Sequence, residues 1–154
     1  MILEFKHIFM KNTSKLSVLF VLVLVMFPAL VLAYTVSNDS NVQISKDEVH
    51  EGNFYVAGEN IVIDGKIEGD LVCGARNVEV NGEIAGDLIC AANVITINGP
   101  VRGSVRVTAS VINVDSVIEH NLQAIGGQIN LEKDANINWD MLTLGENIKI
   151  DGKV

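Results

Sequence analysis

Residues 68–84, EGDLVCGARNVEVNGEI, are followed without a gap by residues 85–101, AGDLICAANVITINGPV. Shifted by 17 positions the two superpose: Gly-Asp-Leu on Gly-Asp-Leu, Cys73 on Cys90, Asn81-Gly82 on Asn98-Gly99. The same shift works outward in both directions. Residues 51–67 precede, residues 102–118 follow, residues 119–137 fit with two extra residues, and residues 138–154 return to 17. An earlier partial copy, Val42-Gln43-Ile44-Ser45-Lys46-Asp47, matches Ile129-Asn130-Leu131-Glu132-Lys133-Asp134, and both lead into a turn two residues longer than the others. Self-similarity at such a fixed period is the signature of a stacked-repeat architecture.

Five columns of the repeat are apolar. The first holds Phe54, Leu71, Leu88, Val105, Leu122 and Met141; the second Val56, Cys73, Cys90, Val107, Ala124 and Thr143. The third runs Ile61, Val78, Ile95, Ile112, Ile129, Ile148, and the fourth Ile63, Val80, Ile97, Val114, Leu131, Ile150. The fifth is Ile67, Ile84, Val101, Ile118, Ile137 and Val154. Within a pair of columns the spacing is two, the period at which strand side chains return to one face. The pattern therefore reads strand, turn, strand, turn, short strand, turn. It predicts an all-β fold: a right-handed parallel β-helix of about 17 residues per three-sided rung and about six rungs, over residues 51–154. Rungs about 4.8 Å apart make a rod of roughly 29 Å. No rung can bury its apolar columns alone, so stability is collective.

The corners agree with this reading. Asp64-Gly65, Asn81-Gly82, Asn98-Gly99 and Asp151-Gly152 share one corner, where residues tolerating positive φ are expected. Gly52, Gly69, Gly86 and Gly103 fill another, followed by Asn53, Asp70, Asp87 and Ser104, short side chains expected to bond the local backbone.

The phrases Glu68-Gly69-Asp70-Leu71, Ala85-Gly86-Asp87-Leu88 and Ile63-Asp64-Gly65-Lys66-Ile67 resemble the bactofilins, polymer-forming bacterial cytoskeletal proteins, and more closely their exported repeat-protein relatives. The resemblance covers residues 42–154. It implies a β-helix that assembles end to end with itself and without nucleotide. One departure is at the N-terminus, since bactofilins proper are cytoplasmic and reach the membrane through a short tail. Here Lys6, Lys11 and Lys15 precede an apolar run from Leu16 to Leu32 that ends in Val31-Leu32-Ala33. That order predicts export, with residues 1–33 a signal peptide cleaved between Ala33 and Tyr34. Uncleaved, about 17 apolar residues form an N-terminal membrane anchor, near the lower limit for a span. Residues 34–50 are then the lead-in and N-terminal cap. A second departure is that Lys153-Val154 closes a rung with no capping segment. That is expected either of a fragment of a longer rod or of a top rung open to another copy.

Charge excludes some functions. Of 19 acidic and 11 basic residues, Glu4 and Lys6, Lys11 and Lys15 lie in the leader, which leaves 18 against 8, or −10, for residues 34–154. Such a surface repels nucleic acid and anionic headgroups. Cys73 and Cys90, inward on adjacent rungs, read as two buried thiols filling the core, with a disulfide outside the cytoplasm as the alternative. His50 and His120 read as solvated turn residues, without a partner set by repeat position to serve as a nucleophile–base pair. Rows of carboxylates, among them Asp70 with Asp87, read as corner chemistry, because the long loops that build a catalytic groove on a β-helix are missing. Trp139 replaces a corner glycine and reads as packing over the longer corner.

No cofactor, metal or catalysis is expected. The sequence points to an exported structural scaffold, extracytoplasmic and bound to the cell envelope or membrane, that self-associates through rung ends. Ile148, Ile150 and Val154 are the candidate contact residues, and organisation of the envelope is the expected role. The alternative is an envelope polysaccharide- or wall-binding module without catalysis, for which Tyr55 and Trp139 are nearly all the aromatic surface on offer.

Overall fold

In the computed structural model residues 40–154 are described, and every regular element among them is a β-strand. The apolar leader, the cleavage position at Ala33 and Tyr34, and residues 34–39 of the lead-in lie outside the described residues.

The chain first lays down β1 (Asn41–Ile44) and β2 (Val49–His50). The next rung is β3 (Phe54–Ala57), β4 (Asn60–Ile63) and β5 (Lys66–Ile67). Above it come β6 (Leu71–Gly74) and β7 (Asn77–Val80), then β8 (Leu88–Ala91) and β9 (Val94–Ile97). In these two rungs the third side is reduced to single bridges through Ile84 and Val101. The last three rungs are β10 (Val105–Val114) with β11 (Val117–Ile118), β12 (Leu122–Leu131) with β13 (Asn136–Ile137), and β14 (Met141–Ile150). Side one of the coil runs β3-β6-β8-β10-β12-β14, and side two runs β1-β4-β7-β9 before joining the same long strands. All pairings are parallel, and the columns stack as the periodicity predicts: Val80 beside Ile97, Ile97 beside Val114, Ile112 beside Ile129. The fold is a parallel β-solenoid of about six turns.

Two strands meet at a turn between sides one and two only in the early rungs. From β10 onward the ladder continues through that corner as one ten-residue strand. Small residues make this possible. Ala109 sits inward at 8% exposure, and Gly126 and Gly145 follow it in the column. A Cβ on Gly126 would come within 2.5 Å of the Ala109 carbonyl oxygen.

Residues 41–50 add directly to the stack, with Val42 beside Ile61 and His50 beside Ile67. The two longer corners are the same device. Glu48 N–H donates to Ser45 O at 2.8 Å and Ala135 N–H to Glu132 O at 3.0 Å, so each closes its own β-turn.

Three expectations are corrected here. First, the Asp-Gly and Asn-Gly corners do not use positive φ; among the described residues only Gly52 does, at 77°. Those glycines answer to crowding. Successive corners stack so closely that a Cβ on Gly82 would overlap the Gly65 carbonyl, and one on Gly99 the Gly82 carbonyl. Second, the short side chains after Gly52, Gly69 and Gly86 bond between rungs and not locally. Asn53 Oδ1 accepts from Asp70 N–H at 2.9 Å, Asp70 Oδ1 from Asp87 N–H at 2.8 Å, and Asp87 Oδ1 from Ser104 N–H at 2.7 Å. Each acceptor oxygen occupies the space a Cβ would need on the glycine one rung on, which is why Gly precedes Asp. Ser104 carries no such carboxyl or amide oxygen, and the next rung tolerates His120 in the glycine column. Third, Cys73 and Cys90 are joined in a disulfide, not left as two thiols. In-register parallel pairing sets their Cα atoms 4.6 Å apart, within the distance a disulfide spans.

Candidate assembly surface

The last rung presents inward columns that nothing covers within the described chain. In the third column Ile129 is fully buried, whereas Ile148 above it is 43% exposed. Leu131 gives way to Ile150 at 48%, and Ile137 to Val154 at 61%. The cause is the stacking itself: each inward side chain needs a rung on both sides to lose its water. β14 also offers a strand edge of backbone donors and acceptors, the template on which a further strand pairs. All three candidate contact residues therefore fall on one end of the rod, on two of its sides.

The cation on β14 is already engaged. Lys149 Nζ lies 2.7 Å from Asp151 Oδ2 and 3.6 Å from Glu132 Oε2. The Asp151 hydrogen bond, ahead of the two carboxylates' fields, holds the Lys149 ammonium above its ordinary pKa. An approaching strand thus meets an edge whose cation is already paired.

The neighbouring corner corrects the reading of the histidines. Trp139 lies one rung above His120 in the former glycine column, and their ring centroids are 4.7 Å apart at 40°. His120 accordingly has a repeat-position partner, and Trp139 remains 62% exposed. His50 is not a turn residue either; it sits in β2, in the column of Ile67, its ring 4.5 Å from that of Phe54.

Elsewhere the polar groups are spent on the stack. Asn60 and Asn77 continue an amide ladder from Asn41, each Nδ2 donating to the Oδ1 one rung below at 2.8 Å. Asn81 and Asn98 do the same above Asp64. Asp87 receives Arg106 Nη1 at 2.8 Å as well as the Ser104 N–H, and these bonds, the arginine first, hold its carboxyl below the ordinary value of 3.8. Among the described residues, no three of His, Cys, Asp and Glu are grouped to hold a metal ion.

Sequence reasoning passed over one feature. Leu142, Leu144 and Ile125 point outward on side one at 61%, 59% and 55% exposure. The available signal was the run Met141-Leu142-Thr143-Leu144, where the polar residue takes the inward column and leucines flank it outside.

A family model described as "Bactofilin: Polymer-forming cytoskeletal" matches residues 42–141, the greater part of the chain and nearly all of the solenoid. No curated protein and no solved structure matches.

Proposed function

Since this chain belongs to the bactofilin family of polymer-forming cytoskeletal proteins, we propose that it is an exported scaffold whose copies join through the terminal rung, with Ile148, Ile150 and Val154 at the junction. Self-association and a structural role come with the family. The place of contact rests on one observation, the loss of cover that takes three inward columns from complete burial to between 43% and 61% exposure in a single rung. A second copy seated there buries these side chains and pairs the free strand edge.

Substituting both Ile148→Asp and Ile150→Asp in the full chain should leave the fold intact, because neither residue is enclosed. Losing two apolar burials of about 2 kcal/mol each raises the concentration needed for assembly by at least about 100-fold. Analytical sedimentation reads this directly. A wild-type chain that stays monomeric at high concentration, or a double variant that assembles normally, overturns the proposed junction.

Export is supported by the order of the leader, basic then apolar then small, and by the disulfide, since cross-links of this kind persist in oxidising compartments. An envelope-organising role follows from that location. Rapid alkylation of the protein as it leaves the cell should find Cys73 and Cys90 unreactive; recovery of both as free thiols overturns the exported reading. Replacing both with Ala, which already occupies the column at Ala124, should cost about 3 kcal/mol for a loop of this length. Denaturant melting measures that cost, and an unchanged midpoint contradicts a stabilising cross-link.

A further inference from the structure

Among the described residues, the outward positions of one face of the rod carry no carboxylate, although the chain has 19 acidic residues against 11 basic ones. Each rung presents two outward positions on side one. Tyr55, Val72, Ile89, Ile125, Leu142 and Leu144 are the large apolar occupants, and the rest are small or uncharged except Arg106. Arg106 is itself neutralised by Asp87 at 2.8 Å. The other sides also present valines outward, among them Val62, Val94 and Val117, but they carry carboxylates, Glu79 on side two and Glu83 on the third. Side two bears the Asn41, Asn60 and Asn77 amide ladder, and the third side and its corner carry the ion pairs Lys66–Glu83, Arg102–Glu83 and Arg102–Glu119.

We propose that the outer face of side one is a lateral interface, on which a second filament of the same chain lies sheet against sheet. Rods of equal negative charge repel one another, and this face is where they approach without bringing carboxylates together. Two flat β-faces with apolar outward residues pack about 10 Å apart. The size of the face sets the order of events. Four residues across and six rungs along give roughly 13 by 29 Å, or about 400 Å², half of the about 800 Å² per partner that a stable interface buries. Single rods accordingly do not pair through it. Along a filament joined end to end the contact repeats, and weak contacts add. Lateral pairing therefore rests on the end-on assembly proposed above and follows it.

The test uses the full chain with Ile89→Glu and Ile125→Glu, both outward, partly exposed and off the terminal rung, so that the end junction is untouched. Negative-stain microscopy should show wild-type filaments side by side and the variant as single filaments, with the concentration for assembly unchanged within about twofold. A matching variant, Ile89→Lys with Ile125→Lys, is single alone and should pair again when mixed with the Glu variant. Wild-type filaments that stay single, or Glu-variant filaments that pair as the wild type does, overturn the lateral interface and leave the end junction standing. A wild type that forms no filament overturns the end junction, and the lateral interface falls with it. Binding of wild-type but not Glu-variant filaments to neutral phosphatidylcholine vesicles, without pairing, also overturns the proposal and assigns the face to lipid.

Discussion

Ile97→Asp should unfold the middle of the rod. Ile97 is fully enclosed, with Val80 below and Val114 above in the fourth column. A carboxylate there has no donor in reach of an apolar column, and an unpaired buried charge costs several kcal/mol beyond the lost isoleucine burial. The combined loss is at least about 4 kcal/mol, a large fraction of what a small domain has. Because each rung is stable only against its neighbours, the damage spreads. Hydrogen exchange should lose protection across the rungs of Val80 and Val114 as well as at the substituted one. Thr96→Asp, one residue away and facing outward, is the control and should shift the melting midpoint little. A cooperative melt unchanged by Ile97→Asp contradicts the inward placement of the column.

Gly82→Ala and Gly74→Ala make the same chemical change with opposite expected results. A methyl group on Gly82 runs into the Gly65 carbonyl and lies 2.8 Å from the Asp64 carbonyl oxygen. Both are backbone atoms of the corner below, so the relief must come from shifting two stacked rungs. A cost of about 3 kcal/mol is expected, at the upper end for overpacking. Gly74 has nothing within 4 Å of the added carbon, and its strand neighbours in register are Ala57 and Ala91. There the methyl only narrows the unfolded ensemble, and stability should rise by about 0.5 kcal/mol. Urea denaturation of the two variants side by side reads the difference. Equal effects would contradict the close approach of the stacked carbonyl as the reason for glycine at this corner.

The contrast marks where sequence reading succeeds and where it stops. Asn81-Gly82 announces a corner, because those residue types accept turns. It does not announce the reason, since a positive φ and a crowded carbonyl both select glycine. Likewise Gly69-Asp70 and Gly86-Asp87 are visible as a motif, but the motif's logic lies in the next rung. Asp70 Oδ1 reaches the Asp87 N–H through the space that Gly86 leaves empty. At the assembly surface, Ile148, Ile150 and Val154 were legible as the last members of their columns. The lateral leucines were not, because a search for inward columns discards the alternate residues.

The sequence by itself determined the rung length, the inward columns and the two longer corners. These follow from a periodic demand for apolar side chains, and a period is a property of the chain read in order. Only the tertiary structure decided that Cys73 and Cys90 bond, that Trp139 stacks on His120, and that, among the described residues, side one presents no carboxylate outward. Each of these depends on which atoms come within a few ångströms of one another across neighbouring rungs. That distance is set by the parallel pairing of the backbone and by the direction each side chain leaves it.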